Sequence, residues 1–424
     1  MLPGLTRLSS VASLLLLSLS PLPAAGQASS CGNPQSNNST ASVAGKAVYF
    51  ITNDQVNSVV ALPIGADGTL SPGTVTATGG AGSVALNSKN EPATPDALVS
   101  QSALTLAGQF IFAVNAGSNT LSMLSISPSD PTRISLVGQP VAVPGEFPNT
   151  VAASAKHRLV CVGMTGARAG ISCASFSPRS GLEKMDALRV FDLGQTTPPV
   201  GPTNTVSHAF FSADESTLFT TVKGDPPTNK TGFLSVLRVV TTKGKKRRGG
   251  AVAAKMDTRS TPEGTAVLFG SQAIPGTKNG IFATDASFGA AVLSVDHRSS
   301  MVTTLAKGVL QGQKATCWAT ISAATGTAFV TDVGVNRLVE MSLNDASVLS
   351  ELDLSANGDP GLIDLRAGGN FVYALSPGNG TTEAAVTVLD VSARRGGQGP
   401  AKMVQHFKLG GIAEKNSMGM AVLA

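Results

Sequence analysis

The chain has 424 residues and a formal net charge of +5, with 4% aromatic and 13% charged residues, 46 Gly and 24 Pro. The length allows two ordinary domains or one large repeat architecture. So mild a charge, with no basic patch interleaved with aromatics, argues against nucleic acid as a partner. The Gly- and Pro-rich composition suits many short strands joined by tight turns rather than long helices.

Residues 1–26 read as a secretory signal. Arg7 supplies the positive charge, Val11 to Leu22 is apolar with four consecutive leucines, and Ala24-Ala25-Gly26 offers a small-residue cleavage site. The apolar run is too short to span a bilayer comfortably, and no later run is long and apolar enough. The expectation is a secreted, extracellular monomer, free or associated with the cell wall, without a membrane span. Residues 27–45 form a polar, Ser/Asn-rich arm. All four cysteines (Cys31, Cys161, Cys173 and Cys317) lie beyond the cleavage site, an even number that suits an oxidising compartment. Acceptor sequences for N-glycans occur at Asn37, Asn38, Asn229 and Asn379.

From residue 46 to 424 one phrase recurs: six residues, mostly apolar, ending in a small or polar one. Its copies are VYFITN, FIFAVN, RLVCVG, LFTTVK, GIFATD, TAFVTD and FVYALS, ending at Asn53, Asn115, Gly163, Lys223, Asp285, Asp332 and Ser376. The steps between ends are 62, 48, 60, 62, 47 and 44 residues, a spacing that points to propeller blades. Around each copy the chain parses as a strand quartet. The second unit reads QSALTLA, FIFAVN, LSMLSIS and SLVGQPVAV. The third carries an excursion from Met164 to Ala187 between its second and third strands. The fourth has a basic loop after FLSVLRVV. The fifth reads TAVLFGSQA, GIFATD, AAVLSV and MVTTLAK, and the sixth CWATISA, TAFVTD, RLVEMSL and SVLSELDL. The seventh reads GLIDLRA, FVYALS, AVTVLDV and MVQHFKL.

The first unit has no inner strand of its own, and the chain ends in an orphan, GMAVLA. Placing that strand innermost in the first blade closes the ring and removes two exposed edges. The predicted fold is an all-β, seven-bladed β-propeller, ring closed by the C-terminal strand in the first blade. Second strands buried on both faces explain the continuous apolar phrase. Its third position is aromatic in five copies, at Phe50, Phe112, Phe282, Phe329 and Tyr373, where the rings fill the gaps between sheets.

The stretches FITND, AVNAGSNTLSMLSI, VTDVGVNRLVEMSL, VKGDPPTNKTGFLSVL and the opening VYFITNDQVNSVVALPIGADGTLS resemble lactonase-type seven-bladed propellers. They are nearest to fungal secreted proteins described as 3-carboxymuconate cyclase-like. The likeness runs from about Ala47 to the end. It implies cycloisomerisation of a carboxylated muconate to a lactone, or lactone hydrolysis. A cyclase of this kind implies His, Arg and Glu side chains in the channel. Among His157, His208, His297 and His406, only His208 falls on a predicted inner strand, and Arg366 is the one arginine there, at a far end.

The connections between second and third strands, and between outer and inner strands, share one face of a propeller. That face should gather Asn53, Asn115, Lys223, Asp285 and Asp332, with Asn149, His208, Trp318 and Asn416 from the inner-strand starts. Lys223 and His208 are the candidate catalytic pair, a small cationic pocket for an acid; the others are candidate ligand-binding residues. Strand-end Asn and Asp also cap turns, and Trp318 also packs in cores. Cys161 with Cys173 would staple the third-unit excursion, and Cys31 with Cys317 would tie the arm to the ring; other pairings remain open. No CxxC or Cys/His spacing suggests zinc, and no cofactor is expected. The run Lys243-Gly-Lys245-Lys246-Arg247-Arg248 reads as a solvated loop, a dibasic processing site or a patch for anionic surfaces. Two functions follow: an adhesin-like extracellular binder of a glycan or protein, or a cycloisomerase or lactonase acting on a small carboxylated ligand in the channel. The unmatched His/Arg/Glu set and the secreted location favour the binder.

Overall fold

The computed structural model describes residues 44–241, 250–397 and 399–424. The expected signal segment, most of the polar arm with Cys31, Asn37 and Asn38, and the run Lys243–Arg248 lie outside the described residues. No helix among the described residues is long and apolar enough to cross a membrane.

Seven antiparallel sheets of four or five short strands make up the fold. Each phrase is a second strand, flanked by an inner strand and a third strand. Each inner strand touches the inner strands of both neighbouring sheets, and blade 7 meets blade 1, so the circuit is closed. Closure uses Met418–Leu423, which pairs with Ala47–Ile51 as the inner strand of blade 1. The expected seven-bladed propeller with a C-terminal closing strand is the fold observed.

The phrase is apolar because it is buried on both faces. Ala47–Ile51, Leu159–Met164 and Phe371–Ser376 are buried at every position. The five third-position rings, Phe50, Phe112, Phe282, Phe329 and Tyr373, are at most 1% exposed. Each such ring contributes about 1.5–3 kcal/mol by leaving water. Tyr373 keeps its hydroxyl satisfied by donating to the Gly68 carbonyl at 3.0 Å.

Blade 3 departs from the expected layout. Gly170–Ser177 is a regular third strand that pairs directly with Leu159–Met164, so no excursion lies between the second and third strands. The irregular chain follows that strand instead and returns through Arg189–Val190 to pair with it. The small and polar residues of ISCASFS broke up its apolar pattern and hid this strand. Its register sets Cys161 opposite Cys173, and the two form a disulfide with Cα atoms 4.0 Å apart. The expected pair is present, as a cross-strand link rather than a loop staple.

Candidate functional site

The site is built around a segment the strand pattern did not anticipate. Between the outer strand of blade 1 and the inner strand of blade 2, the chain turns into the centre of the ring. Leu98, Val99, Ser100 and Gln101 are fully buried there. Gln101 donates its backbone N–H to Ser207 of blade 4 at 2.8 Å. Its side-chain amide donates to the Ala319 carbonyl of blade 6 at 2.9 Å and to Asp364 of blade 7 at 3.0 Å, and accepts from the Ala319 N–H at 3.2 Å. Ser100 donates to the Asn149 carbonyl of blade 3 at 2.6 Å. In blade 5, Gly270 supplies the room, because a Cβ there would collide with the Gln101 amide oxygen. Bonds to so many blades place this plug on the ring axis. Val99 and Ser102 hold φ of 50° and 63°, and for a β-branched residue that conformation costs on the order of 1–3 kcal/mol. The plug's dense bonding holds it there.

One cavity, of about 400 Å³, lies on the side of the plug where second strands end. Val99, Val267, Phe269, Ala315, Val333 and Ile363 make its walls mostly apolar. Lys223, at 2% exposure, comes from the end of the blade 4 phrase. Its Nζ donates to the Val99 carbonyl at 2.6 Å and sits 4.4 Å from the centre of the Phe269 ring. Asp96 of the plug faces the same cavity, and its Oδ1 is shielded from water without a hydrogen-bond partner among the described residues. Burial pushes the Asp96 carboxyl up to about 6, against the opposing pull of the Lys223 charge. Burial likewise draws Lys223 down to about 8, with Asp96 and Cys317 pulling the other way. Trp318, packed edge-on against Phe269 with centroids 4.8 Å apart, forms another wall and donates Nε1–H to the Ser100 carbonyl at 3.1 Å. It lines the cavity and packs in the core at once. Exposed Lys314 stands at the rim.

A second cavity, of about 260 Å³, lies on the other side of the plug. It is lined by Ser102, His208, Ser271, Gln272, Thr320 and Arg366, with Ala152, Phe210 and Ile321 among its apolar residues. His208 is buried, which holds its imidazole well below the usual histidine range, with the Arg366 charge adding to the effect. Asp364 lies behind this wall, fully buried, and accepts from Arg366 at 2.9 Å and from the Leu365 and Met420 N–H groups. Burial raises its carboxyl, while the Arg366 charge and hydrogen bonds from the Leu365 and Ser102 N–H groups and the Gln101 side chain act against the rise.

Lys223 and His208 therefore do not form one pocket. The Lys223 backbone N–H donates to Thr205, fixing Lys223 at that level of the blade. His208 lies three residues further along the inner strand, roughly 10 Å at strand rise, opposite Thr221 after a register irregularity. The plug comes between the two cavities.

Most strand-end polar residues are spent on the fold. Asn53 exchanges bonds with the backbone of Ser83. Asn115 bonds Asn57, Thr78, Thr120 and Ser122. Asp285 accepts from the Ala266, Val267 and Ser287 N–H groups. Asp332 accepts from Lys314 and Ala315 N–H and pairs with Arg337 at 2.9 Å. Asn149 donates to the Leu98 and Val206 carbonyls, and Asn416 donates to Asp54 at 3.1 Å. They set the mouth's shape and do not line the cavity. Cys317 is a free, buried thiol lining the same cavity as Lys223, and its expected partner Cys31 lies outside the described residues. Asn229 and Asn379 sit on exposed loops. A wider groove of about 800 Å³ lies between the first turns of blades 4 and 5. Its Arg238 is held by the Arg298 carbonyl and Ser300, away from both axial cavities. No group of three or more metal-ligating side chains occurs among the described residues. Asp96, Ser102, Gln101 and Asp364 were missed by the sequence reading, since nothing in their spacing marks a plug.

No protein-family model matches the chain, and no curated protein matches it in sequence. Solved structures do share the fold. The periplasmic gluconolactonase PpgL of Pseudomonas aeruginosa superposes with a TM-score of 0.59 at 14% identity, over 89% of this chain and 99% of that one. A Bacteroides fragilis protein assigned by inference as a 6-phosphogluconolactonase gives 0.58 at 9% identity, over 92% and 100%. Its counterpart from Bacteroides uniformis gives 0.57 at 13% identity, over 89% and 99%. At these identities the likeness is one of fold.

Proposed function

We propose that the Asp96–Lys223 cavity opens a small lactone ring by hydrolysis. The observation that carries this reading is the convergence of an unpaired Asp96 oxygen and the Lys223 ammonium on one mostly apolar cavity of about 400 Å³. A lactone is an apolar ring with a single polarised ester, which matches such a lining. Asp96, as carboxylate, takes a proton from water as the water oxygen bonds to the lactone carbonyl carbon. The Lys223 ammonium stabilises the oxyanion that forms. Collapse breaks the ring C–O bond, and the proton held on Asp96 passes to the leaving alkoxide. Lactone and water become a hydroxy acid. Two groups tuned to opposite sides of neutrality suit this exchange. Lys314 at the rim suits an acidic substituent, in keeping with a carboxylated substrate. The cycloisomerisation that the muconate resemblance implies is a separate step, addition of a carboxylate to a carbon–carbon double bond with no water consumed, and is not the reverse of this hydrolysis.

The gluconolactonase among the proteins that share this fold supports the lactone class. The Cys161–Cys173 disulfide suits an oxidising compartment, and the exposed Asn229 and Asn379 suit glycans, so we place the reaction outside the cytosol.

The test is proton release from δ-gluconolactone, simple γ-lactones and 3-carboxymuconolactone in weak buffer. Turnover is expected, with Asp96→Asn and Lys223→Met each lowering kcat by about 10²-fold or more while the circular dichroism stays unchanged. Equal rates in the variants would remove the chemistry from this cavity. Saturable binding without turnover of any lactone would return the protein to the extracellular-binder class.

A further inference from the structure

We propose that the cavity on the other side of the plug binds a small monocarboxylate. The geometry fixes where its protons are. The Ser271 N–H donates to His208 Nδ1 at 3.0 Å, so that nitrogen carries the lone pair. The ring proton is then on Nε2, which faces Ser102 Oγ at 2.9 Å and donates to it. Arg366 Nη2 donates to the same oxygen at 2.5 Å. A guanidinium cannot accept, so Ser102 Oγ receives two hydrogen bonds and must send its own proton elsewhere. No described protein acceptor takes it. The arrangement resembles a Ser–His nucleophile pair, but Nε2 has no free lone pair with which to activate the serine. Ser102 instead presents an O–H donor to the cavity it lines.

Three more side chains on this wall keep donors. Arg366 uses three N–H groups on Asp364, the Leu365 carbonyl and Ser102, which leaves two of its five. Gln272 accepts the Ile321 N–H with its oxygen, which leaves its NH₂ group. Thr320 accepts the Ala367 N–H and keeps a hydroxyl proton. No carboxylate lines the cavity, because Asp364 lies behind it with no exposed side-chain surface. Donors around one guanidinium call for an anionic acceptor. That cation is already shared with Asp364, so a single negative charge is favoured over two. Ala152, Phe210 and Ile321 provide room for a short alkyl tail, and about 260 Å³ limits the ligand to a few carbons.

This site is separate from the Asp96–Lys223 cavity and stands or falls independently of lactone turnover. The chain has four histidines, so ¹³C-labelling histidine gives a simple spectrum in which His208→Gln assigns the buried ring. Propionate should move the His208 resonance saturably at millimolar concentration. Propionamide and inorganic phosphate should bind at least about ten-fold more weakly. Arg366→Met and Ser102→Gly should abolish the response. The glycine variant guards against misfolding, since φ of 63° suits glycine. A His208 signal that propionate leaves unmoved up to about 100 mM, a response that survives both Arg366→Met and Ser102→Gly, or binding of phosphate or propionamide as tight as propionate would each overturn the assignment.

Discussion

The Lys223 ammonium donates to the Val99 carbonyl across 2.6 Å, joining the second strand of blade 4 to a segment that precedes blade 2 by sequence. One bond thus anchors the axial plug and aims the cavity's cation. Removing the ammonium should act on both. In Lys223→Met, Asp96 loses the charge that opposes its rise, so its carboxyl should titrate higher than in the parent protein. Infrared difference titration of the carboxyl band would measure this. An unmoved band would mean that the two groups are not coupled.

The pH dependence of turnover follows from the same pair. The proposed chemistry needs Asp96 ionised and Lys223 protonated. Activity should rise through about 6 as Asp96 loses its proton, and fall through about 8 as Lys223 loses its own. The two limbs belong to the pair as a unit. A bell-shaped kcat profile that flattens on its acid side in Asp96→Asn would match, and an unchanged acid limb would not.

Stability should follow the opposite course. A carboxyl raised on folding binds its proton more tightly in the folded chain than in the unfolded one. Its favourable contribution is complete below the unfolded value and is lost as pH climbs through the folded value. Asn copies the protonated form at every pH. Asp96→Asn should therefore melt higher than the parent at pH 7, with the gap closing as pH falls towards 4. A gap that widened on acidification would show that the Asp96 charge supports the fold.

The repeated phrase and the closing strand were legible because they answer to strong, periodic forces. A second strand buried on both faces must be apolar, and an orphan strand must find an edge. Lys223 stood out because it ends a phrase whose other copies end in Asn, Asp, Gly or Ser, and the cavity does contain it. The plug was not legible. Residues 96–102 (DALVSQS) read as ordinary strand-edge sequence, and QSALTLA passed for an inner strand although only Leu104–Ala107 is one. Val99 adopts its positive φ through long-range bonds, which no local propensity announces. His208 was placed on the correct strand but at the wrong depth: read as an inner-strand start, it is the third residue of Val206–Phe211, and the plug lies between it and the Lys223 cavity. The strand pattern alone does not show where such a strand begins.

Plug anchoring can be tested at Gln101. Gln101→Leu would orphan the Ala319 N–H and carbonyl and take one donor from Asp364, at a cost of about 2–4 kcal/mol. Gly270→Ala forces a methyl against the same amide and should cost about 1–3 kcal/mol. The Gly270 methyl also meets the Ala319 nitrogen and the Cys317 carbonyl, but its clash with the amide is shared with Gln101→Leu, so the double variant should lose less than the sum of the singles. Urea denaturation of the set would check this. Additive losses would mean that Gly270 and Gln101 act independently.

Ring closure gives the last prediction. Met418–Leu423 is the inner strand of blade 1, and the Met420 N–H also reaches Asp364 of blade 7 at 2.9 Å. Ending the chain at residue 417 would expose the edge of Ala47–Ile51 and remove a donor from a buried carboxylate. Both faces of the gap carry fully buried apolar residues, including Tyr49 and Ile51. The shortened chain should therefore fail to fold or should aggregate through the open edge. Adding the peptide of residues 415–424 in trans should recover part of the monomeric fraction by strand addition, at an affinity set by backbone pairing and by the Met418 and Met420 side chains. Size-exclusion chromatography with and without the peptide measures the outcome. A truncated chain that stayed monomeric and melted like the parent would mean that the ring does not depend on this strand for closure.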